Sequence, residues 1–200
     1  MKNKSHIIAP RSHVSQEMRE ARQLHRGMAF WLTGLSGSGK STLAHEAELI
    51  LFSQGYNIIV LDGDAMRTGL CQDLGFSTED RMENNRRVAE LTKILVRSGA
   101  ICVCAFISPL ETMRRSIRQI IGNDFFREIF ISCSLEKCEQ RDCKKFYSKA
   151  RRGEIKNYTG ISSVYEPPVS PEYIISTESA SIEFCTHQLV KFIIDNIRVK

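Results

Sequence analysis

From residue 34 to residue 41 the chain reads Gly34-Leu35-Ser36-Gly37-Ser38-Gly39-Lys40-Ser41. This is the complete G-x-x-x-x-G-K-[ST] pattern of a phosphate-binding loop, whose glycines let the backbone curve around an anion so that several N–H groups point at it. An apolar run at 28–33 precedes the loop, and a helical pattern that begins at Thr42 follows it. The N-terminus of that helix adds the positive end of its dipole at the same point. The motif in this setting predicts a binding site for a nucleoside triphosphate.

The overall composition is that of an ordinary globular protein. Its 200 residues, 42% hydrophobic and 26% charged, are enough for one α/β domain with a substantial core. No apolar run approaches the roughly 20 residues needed to cross a bilayer, and residues 1–10 lack the apolar stretch of a signal peptide. The seven cysteines include no C-x-x-C pair, which favours a reduced, cytoplasmic protein over a disulfide framework or a zinc site.

Basic side chains concentrate in one segment. Residues 137–156 contain eight lysines and arginines against three acidic residues, a local excess that equals the net charge of +5 of the whole chain. Such a segment forms a solvated helix face, a nucleic-acid-binding patch or a cationic lid over a polyphosphate. The phosphate-binding loop favours the lid, which we place at about 137–160.

Apolar runs alternate with amphipathic stretches of helical length along residues 27–200. Strands are expected at 28–33, 57–62, 100–105, 126–132 and 173–176, and helices at 41–54, 78–98, 111–121, 135–142 and 181–197. The alternation predicts a single α/β domain, a doubly wound parallel sheet of five strands with helices on both faces, and a site at the carboxyl ends of the strands. Residues 1–26 are expected to form an arm or a short helix before this domain.

Two carboxylates follow the second predicted strand, in the sequence Asp62-Gly63-Asp64. A carboxylate there is able to take a proton from an attacking hydroxyl or to hold Mg²⁺ through water, although an Asp-Gly turn is the simpler explanation. The nearby phosphate-binding loop favours the functional interpretation. Arg67 and Arg81 follow at an acidic turn and a helix start, and their guanidinium groups suit phosphate and sulfate oxygens.

Some polar residues have two explanations that the sequence leaves open. Ser108, just past the third predicted strand and before Pro109, either touches a substrate or caps the next helix. Arg86 and Arg87, in the middle of a predicted helix, either bind an anion or form ion pairs on the helix surface.

A series of motifs follows in order along the chain: 34–41, Asp62-Gly63-Asp64 with Arg67, Asp73-Leu74-Gly75-Phe76-Ser77, Asp80-Arg81, Glu83-Asn84 with Arg86-Arg87, Ala105-Phe106-Ile107-Ser108-Pro109, 147–151, and Asn157-Tyr158-Thr159-Gly160-Ile161. This series closely resembles the motifs of adenylyl-sulfate kinase (APS kinase). The similarity runs from about residue 13 to about residue 168. It implies the P-loop kinase fold and transfer of the γ-phosphoryl group of MgATP to the 3′-hydroxyl of adenosine 5′-phosphosulfate (APS), which gives 3′-phosphoadenosine 5′-phosphosulfate and ADP. Mg²⁺ and ATP are therefore the expected cofactors.

The resemblance also implies roles for individual residues. ATP is expected along Gly34, Leu35, Ser36, Gly37, Ser38, Gly39, Lys40, Ser41 and Thr42. The expected catalytic residues are Lys40, Asp64 and Ser108, and the expected metal-binding residues are Ser41 and Asp64. APS is expected to contact Asp62, Arg67, Phe76, Arg81, Asn84, Ile107, Ser108, Lys149 and Tyr158, with Phe76 and Tyr158 stacked on its adenine. The family has been proposed to phosphorylate the serine at Ser108, but direct in-line transfer needs no such intermediate, so we favour a binding role.

The chain departs from the family's usual pattern near the expected lid. Cys143 and Lys145 stand where Pro and Gly are usual, Ser162 stands where Asp is common, and Tyr158 replaces Phe. These changes bear on lid stiffness and affinity, and leave the phosphate-binding loop and Asp64 untouched. The family is commonly a homodimer, so we expect one here, with no nucleic-acid or membrane partner.

Two other functions remain open at this point. A kinase of the same fold that acts on another modified nucleotide, such as a cytidine diphosphate derivative, would share these motifs because rings that stack on adenine also stack on cytosine. A non-catalytic nucleotide-binding regulator is a weaker alternative, because such a protein has no need of Asp64. Nucleic-acid binding through 137–156 is weaker still, since only Phe146 and Tyr147 interleave with its basic residues.

Overall fold

A computed structural model describes residues 12–199. In this range five strands form one sheet: β1 (Met28–Thr33), β2 (Ile58–Asp62), β3 (Ile101–Ala105), β4 (Phe126–Ser132) and β5 (Tyr173–Ser176). The strand order is β2-β3-β1-β4-β5, and every neighbouring pair is parallel. The predicted parallel sheet is confirmed, and each strand begins within one residue of its expected start.

The helices of residues 12–199 surround this sheet. They are α1 (Gln16–Gln23), α2 (Lys40–Ser53), α3 (Gly63–Arg67), α4 (Thr78–Arg97), α5 (Glu111–Ile121), α6 (Leu135–Gln140), α7 (Phe146–Arg151) and α8 (Ile182–Ile197). The five predicted helices are present with small differences at their ends. Helix α1 corresponds to the short helix expected in the arm, whose residues 1–11 lie outside the described range. Helices α3 and α7 were not predicted.

Strand β1 shows why helices cover both faces of the sheet. All six of its residues are buried. Met28, Phe30 and Leu32 pack with α2 and α8, whereas Ala29 and Trp31 pack with α4 and α5. Because successive side chains of a strand point to opposite faces, one continuous apolar strand contributes to two separate cores. The predicted doubly wound arrangement is confirmed.

Caps place helices α3 and α4 at the carboxyl edge of the sheet. Strand β2 runs directly into α3, and the Asp62 carboxylate accepts a hydrogen bond from the Asp64 N–H as its N-cap. The hydroxyl of Ser77 caps α4 by accepting from the Asp80 N–H, and the C-cap of α4 is Ser98. The predicted helix 78–98 thus has the observed first residue and ends one residue beyond the observed Arg97. The caps fix the segments that carry the predicted site.

The seven cysteines all lie in the described range and carry free thiols. Cys102 and Cys104 are buried in β3, and burial raises the pKa of Cys104 to about 12, so both behave as small apolar side chains. Within residues 12–199, no helix combines the length and the apolar character required to cross a membrane.

Candidate active site

The phosphate-binding loop lies between β1 and α2, and two of its glycines are required by close backbone contacts. A Cβ on Gly34 would lie 2.5 Å from the carbonyl oxygen of Ile131, and a Cβ on Gly37 would lie 2.8 Å from that of Cys138. Gly37 also has a φ of +79°, a conformation that favours glycine. The loop therefore closes tightly against β4 and α6, and α2 begins at its end with Lys40.

Lys40 is held beneath this loop. Its side chain is buried, and its Nζ donates hydrogen bonds to the carbonyl oxygens of Gly34 at 2.9 Å and Leu35 at 2.7 Å. Burial lowers the pKa of Lys40 to about 8, although Asp62 and Asp64 act in the opposite direction. The ammonium group thus stays charged at neutral pH and keeps one further N–H for an anion.

The carboxylates after β2 meet the start of α2. The hydroxyl of Ser41 donates to Asp62 Oδ2 at 2.6 Å, and the Asp64 side chain is exposed to the cavity described next. Among residues 12–199 no three His, Cys, Asp or Glu side chains form a metal-binding group. A hydroxyl and two carboxylates match the oxygen ligands of Mg²⁺, which keeps several waters and substrate oxygens in its coordination shell.

These segments surround a cavity of about 490 Å³. The predicted site residues that line it are Ser36, Gly37, Gly39, Lys40, Ser41, Thr42, Asp62, Asp64, Arg67, Phe76, Arg81, Asn84, Ile107 and Ser108. Gly34, Leu35 and Ser38 belong to the same loop but are not among the lining residues in the described chain. The structure thus brings together residues that are more than 70 positions apart in the chain.

Lys149 and Tyr158 are not among the lining residues of this cavity in the described chain. The Tyr158 ring packs edge-on against Tyr147 with a centroid distance of 5.0 Å, and Lys149 Nζ lies 5.7 Å from the centre of the Phe146 ring. Both belong to the segment that runs over the phosphate-binding loop. The Tyr147 hydroxyl donates to the carbonyl oxygen of Ser36 at 2.7 Å and so ties that segment to the loop.

One wall of the cavity combines an exposed aromatic ring with two arginines. The Phe76 side chain is 57% exposed, and the guanidinium carbons of Arg67 and Arg81 lie 4.5 and 5.7 Å from its ring centre. Asn84 is buried beside them, and its Oδ1 has no hydrogen-bond partner in residues 12–199. An exposed ring and two cations suit a ligand with a flat base and an anionic group, and the Asn84 amide oxygen can accept a hydrogen bond from a donor on such a ligand.

Ser108 also lines the cavity and is held in a fixed conformation. It has a φ of +40° and is 3% exposed. Its hydroxyl accepts a hydrogen bond from Trp31 Nε1 at 3.0 Å, and its carbonyl oxygen accepts one from Arg114 Nη1 at 2.9 Å. The alternative that Ser108 caps the next helix is wrong, because α5 starts at Glu111 and its N-cap is Leu110.

Other lining residues of the cavity were not predicted individually as site residues. They include Leu43, Asn85, Arg141, Thr177, Ala180, Ile182 and Cys185, of which Arg141 lies in the segment expected to form the lid. Arg141 Nη2 donates to the Thr177 carbonyl at 2.7 Å, and the Thr177 hydroxyl donates to the Ser38 carbonyl at 2.8 Å. Thr177 directly follows β5, so its position at a strand end was a usable signal, whereas Ala180 and Ile182 reach the cavity only through the packing of α8.

A five-stranded parallel sheet with a phosphate-binding loop after β1 and carboxylates after β2 defines a P-loop kinase. Residues 26–176 match the sequence profile of the family described as Adenylylsulphate kinase. The chain belongs to this family.

Individual relatives agree with this assignment. The chain is 47% identical over 198 residues to the adenylyl-sulfate kinase of Bacillus licheniformis, with 99% of this chain and 100% of the relative covered. It superimposes on the APS kinase CysC of Mycobacterium tuberculosis, solved in complex with AMPPNP and APS, with a TM-score of 0.81 and 40% identity over 85% of this chain and 98% of that one. A hexameric APS kinase from Thiobacillus denitrificans matches with a TM-score of 0.64 and 28% identity over 86% of this chain and 29% of that chain.

Proposed function

We propose that this protein is an adenylyl-sulfate kinase that transfers the γ-phosphoryl group of ATP to the 3′-hydroxyl of APS, giving 3′-phosphoadenosine 5′-phosphosulfate and ADP. The observation that carries the proposal is one cavity with a phosphate-binding loop on one side and the Phe76, Arg67 and Arg81 wall on the other. Two nucleotides in such a cavity would face each other across Asp64. The 47% identity to an adenylyl-sulfate kinase over nearly the whole chain supports the same reaction.

The nucleotide side of the cavity fits ATP. Loop amides and Lys40 supply donors to phosphate oxygens, and the buried Ser38 hydroxyl, which has no partner in residues 12–199, gains one when a phosphate is present. The residues of this side are Gly34, Leu35, Ser36, Gly37, Ser38, Gly39, Lys40, Ser41 and Thr42. Thr177, Ala180 and Ile182 form the part of the wall that we assign to the purine of ATP.

Mg²⁺ is the cation that fits beside Ser41. The Ser41 hydroxyl and the carboxylates of Asp62 and Asp64 would hold it, directly or through water. Held there, the ion would supply positive charge that neutralises the transferred phosphoryl group. Because Ser41 already contacts Asp62 rather than Asp64, we propose that Asp62 takes the larger share of this role and leaves Asp64 for the acceptor.

The acceptor side fits APS. Phe76 and Tyr158 would stack on its adenine, while Arg67, Arg81 and Asn84 bind the phosphosulfate. Ile107, Ser108 and Lys149 complete the contacts. The Ser108 hydroxyl is buried and bonded to Trp31, so we assign it to holding the substrate wall rather than to carrying a phosphoryl group.

Catalysis in this arrangement depends on position and charge. Asp64, exposed at the cavity, orients the 3′-hydroxyl of APS and accepts its proton, while Lys40 stabilises the negative charge of the transferred group. Closure of the segment 137–160 as a lid would exclude water from the reaction. Within this segment Arg151 pairs with Glu139.

We extend the proposal to the organisation of the protein. Residues 27–200 form a single kinase domain after the arm 1–26, and the protein is a cytoplasmic homodimer. Free thiols at every cysteine support a reducing compartment. Light scattering would give the mass of the assembly and so test the homodimer.

Product analysis tests the reaction itself. The protein is incubated with MgATP and APS, and in parallel with other nucleotides that include cytidine diphosphate derivatives. A 3′-phosphorylated product from APS alone supports the proposal. Efficient turnover of another nucleotide with poor use of APS would reassign the acceptor, and binding of ATP without any turnover would identify a regulator.

A further inference from the structure

The Phe76 ring projects from a turn, residues 70–77, that arginines hold by its backbone. Arg67 Nη1 donates to the carbonyl oxygens of Leu74 at 3.2 Å and Gly75 at 2.8 Å, and Arg81 Nε donates to that of Phe76 at 3.0 Å. More than half of the Phe76 side chain is exposed, so core packing does little to fix it. The position of the ring therefore depends on how firmly the backbone of this turn is held.

Arg87, on α4, holds the first half of the same turn. Its Nη1 and Nη2 donate to the two carboxylate oxygens of Asp73 at 2.6 and 2.8 Å, and its Nη1 also donates to the Leu70 carbonyl at 3.1 Å. Its Nε donates to Glu83 Oε1 one helical turn away, at 2.9 Å. The planar guanidinium is thus fixed between α4 and the turn.

Arg87 does not itself line the cavity in the described chain, whereas Arg67 and Arg81 do. Those two cations are assigned to the acceptor's anionic group, so binding of the substrate competes for their N–H groups. Because Arg87 is not a lining residue in the described chain, a ligand in the cavity would not compete directly for its contacts with Asp73 and Leu70.

We infer that Arg87 is a positioning residue for the acceptor nucleotide: its clamp on Asp73 and Leu70 sets the turn so that Phe76 presents its ring to the base. This inference rests on the proposed function, because it requires a nucleotide base on Phe76. By sequence alone, Arg86 and Arg87 have the same two explanations. The structure separates them: among the described residues Arg86 pairs with Glu83, whereas Arg87 pairs with both Glu83 and Asp73 of the turn.

An exposed ion pair with no positioning role would have small and non-specific effects on the kinetics. A positioning role instead predicts a selective effect on the KM for APS. Replacement of Arg87 by Ala should raise the KM for APS about tenfold and leave the KM for ATP within about twofold of wild type, because only the acceptor wall loses its support. Arg87→Lys should recover part of the loss, since an ammonium keeps the charge but not the two-pronged contact.

The matched control is Arg86→Ala. It removes a partner from the same Glu83, on the adjacent residue, and the side-chain hydrogen bonds of Arg86 within residues 12–199 do not reach the turn 70–77. Its KM for APS should remain at the wild-type value. Asp73→Asn should act like Arg87→Ala, because it weakens the same contact from the other side.

A double-mutant cycle tests whether Arg87 acts through Phe76. Phe76→Ala should raise the KM for APS far more than the KM for ATP, and adding Arg87→Ala to it should change little more. Independent, additive effects would overturn the inference, as would equal changes of both KM values together with a lower Tm. If wild type does not phosphorylate APS, the proposed function fails and the inference falls with it. If wild type does so and Arg87→Ala matches Arg86→Ala, the inference alone is wrong.

Discussion

The Asp64 carboxylate is the residue on which the chemistry of the proposed reaction depends. Asp64→Ala removes the group that orients the acceptor hydroxyl, so kcat should fall about 10²- to 10⁴-fold. The Kd for ATP should change little because Lys40 and the loop amides remain. Rapid-quench turnover and equilibrium ATP binding measure the two effects. The control is Asp124→Ala, an exposed carboxylate just before β4 at the other edge of the sheet. Turnover near wild type in Asp64→Ala would remove Asp64 from this role.

The buried Lys40 ammonium predicts a pH dependence of ATP binding. Burial lowers the pKa of Lys40 to about 8, and the protonated form is the one that attracts phosphate. The affinity for ATP should therefore be constant below this pH and decline as the pH rises above it. ATP-binding titrations at pH values from about 7 to about 9.5, which lie on both sides of the Lys40 pKa, measure this decline. Lys40→Met should bind more weakly and without this dependence. The same slope in that variant would show that another group titrates.

Helix α5 depends on a carboxylate from a distant segment for its cap. Its N-cap, Leu110, has no side-chain hydrogen bond to offer. Glu166 supplies one instead: its Oε2 accepts from the Glu111 N–H at 2.7 Å, and its own N–H donates to the Pro109 carbonyl at 2.8 Å. The chain that follows the 137–160 segment is thereby joined to the loop that carries Ser108.

Removal of this cap should lower the free energy of unfolding. Glu166→Ala is expected to cost about 1 kcal/mol, and Glu166→Gln less because an amide oxygen still accepts the bond. Urea unfolding followed by circular dichroism measures both. The control is Glu183→Ala, at the first turn of α8, where Ser181 already provides the cap. Equal stability of Glu166→Ala and wild type would show that solvent replaces the cap without loss.

Most elements could be predicted from the sequence, and those that were missed share a physical cause. Long apolar or amphipathic runs identified the five strands and five helices, because burial enforces their periodicity. Helix α3 has only five residues, and its start resembles a turn because Gly63 follows its cap. Helix α7 begins after Lys145, which has a φ of +56° and no side-chain cap, so the usual start signal is missing. Short helices held by neighbouring segments leave little trace in the local sequence.

At the level of the whole molecule, the rule that strand ends meet at one edge accounts for most of the cavity. Applied to the sequence alone, this rule brings the residues after β1, β2 and β3 together. It also points to Thr177, after β5, but this residue lies in no recognised motif. Ile182 and Cys185 reach the cavity because α8 packs on α2, which is a tertiary contact that local sequence does not encode. The sequence therefore predicts the cavity residues at the carboxyl edge of the sheet better than it predicts the wall that we assign to the purine of ATP.

The Tyr147 hydroxyl joins two distant parts of the molecule, the 137–160 segment and the phosphate-binding loop. It donates to the Ser36 carbonyl at 2.7 Å, and the Tyr147 side chain is 1% exposed. Tyr147→Phe keeps the ring and removes one hydrogen bond, a loss of about 1 kcal/mol that favours opening of the segment. If this segment excludes water, ATP hydrolysis without acceptor should rise relative to phosphoryl transfer.

The ratio of ADP formed without APS to product formed with APS measures this coupling. Tyr173→Phe is the matched control: it is the same chemical change in β5, where the Tyr173 ring stacks on Phe192 at 4.6 Å and does not line the cavity of the described chain. We expect the ratio to rise several-fold in Tyr147→Phe, about what a 1 kcal/mol shift produces, and to stay at the wild-type value in the control. An unchanged ratio in Tyr147→Phe would mean that water is excluded by other contacts, and the single bond from Tyr147 to Ser36 would then serve stability alone.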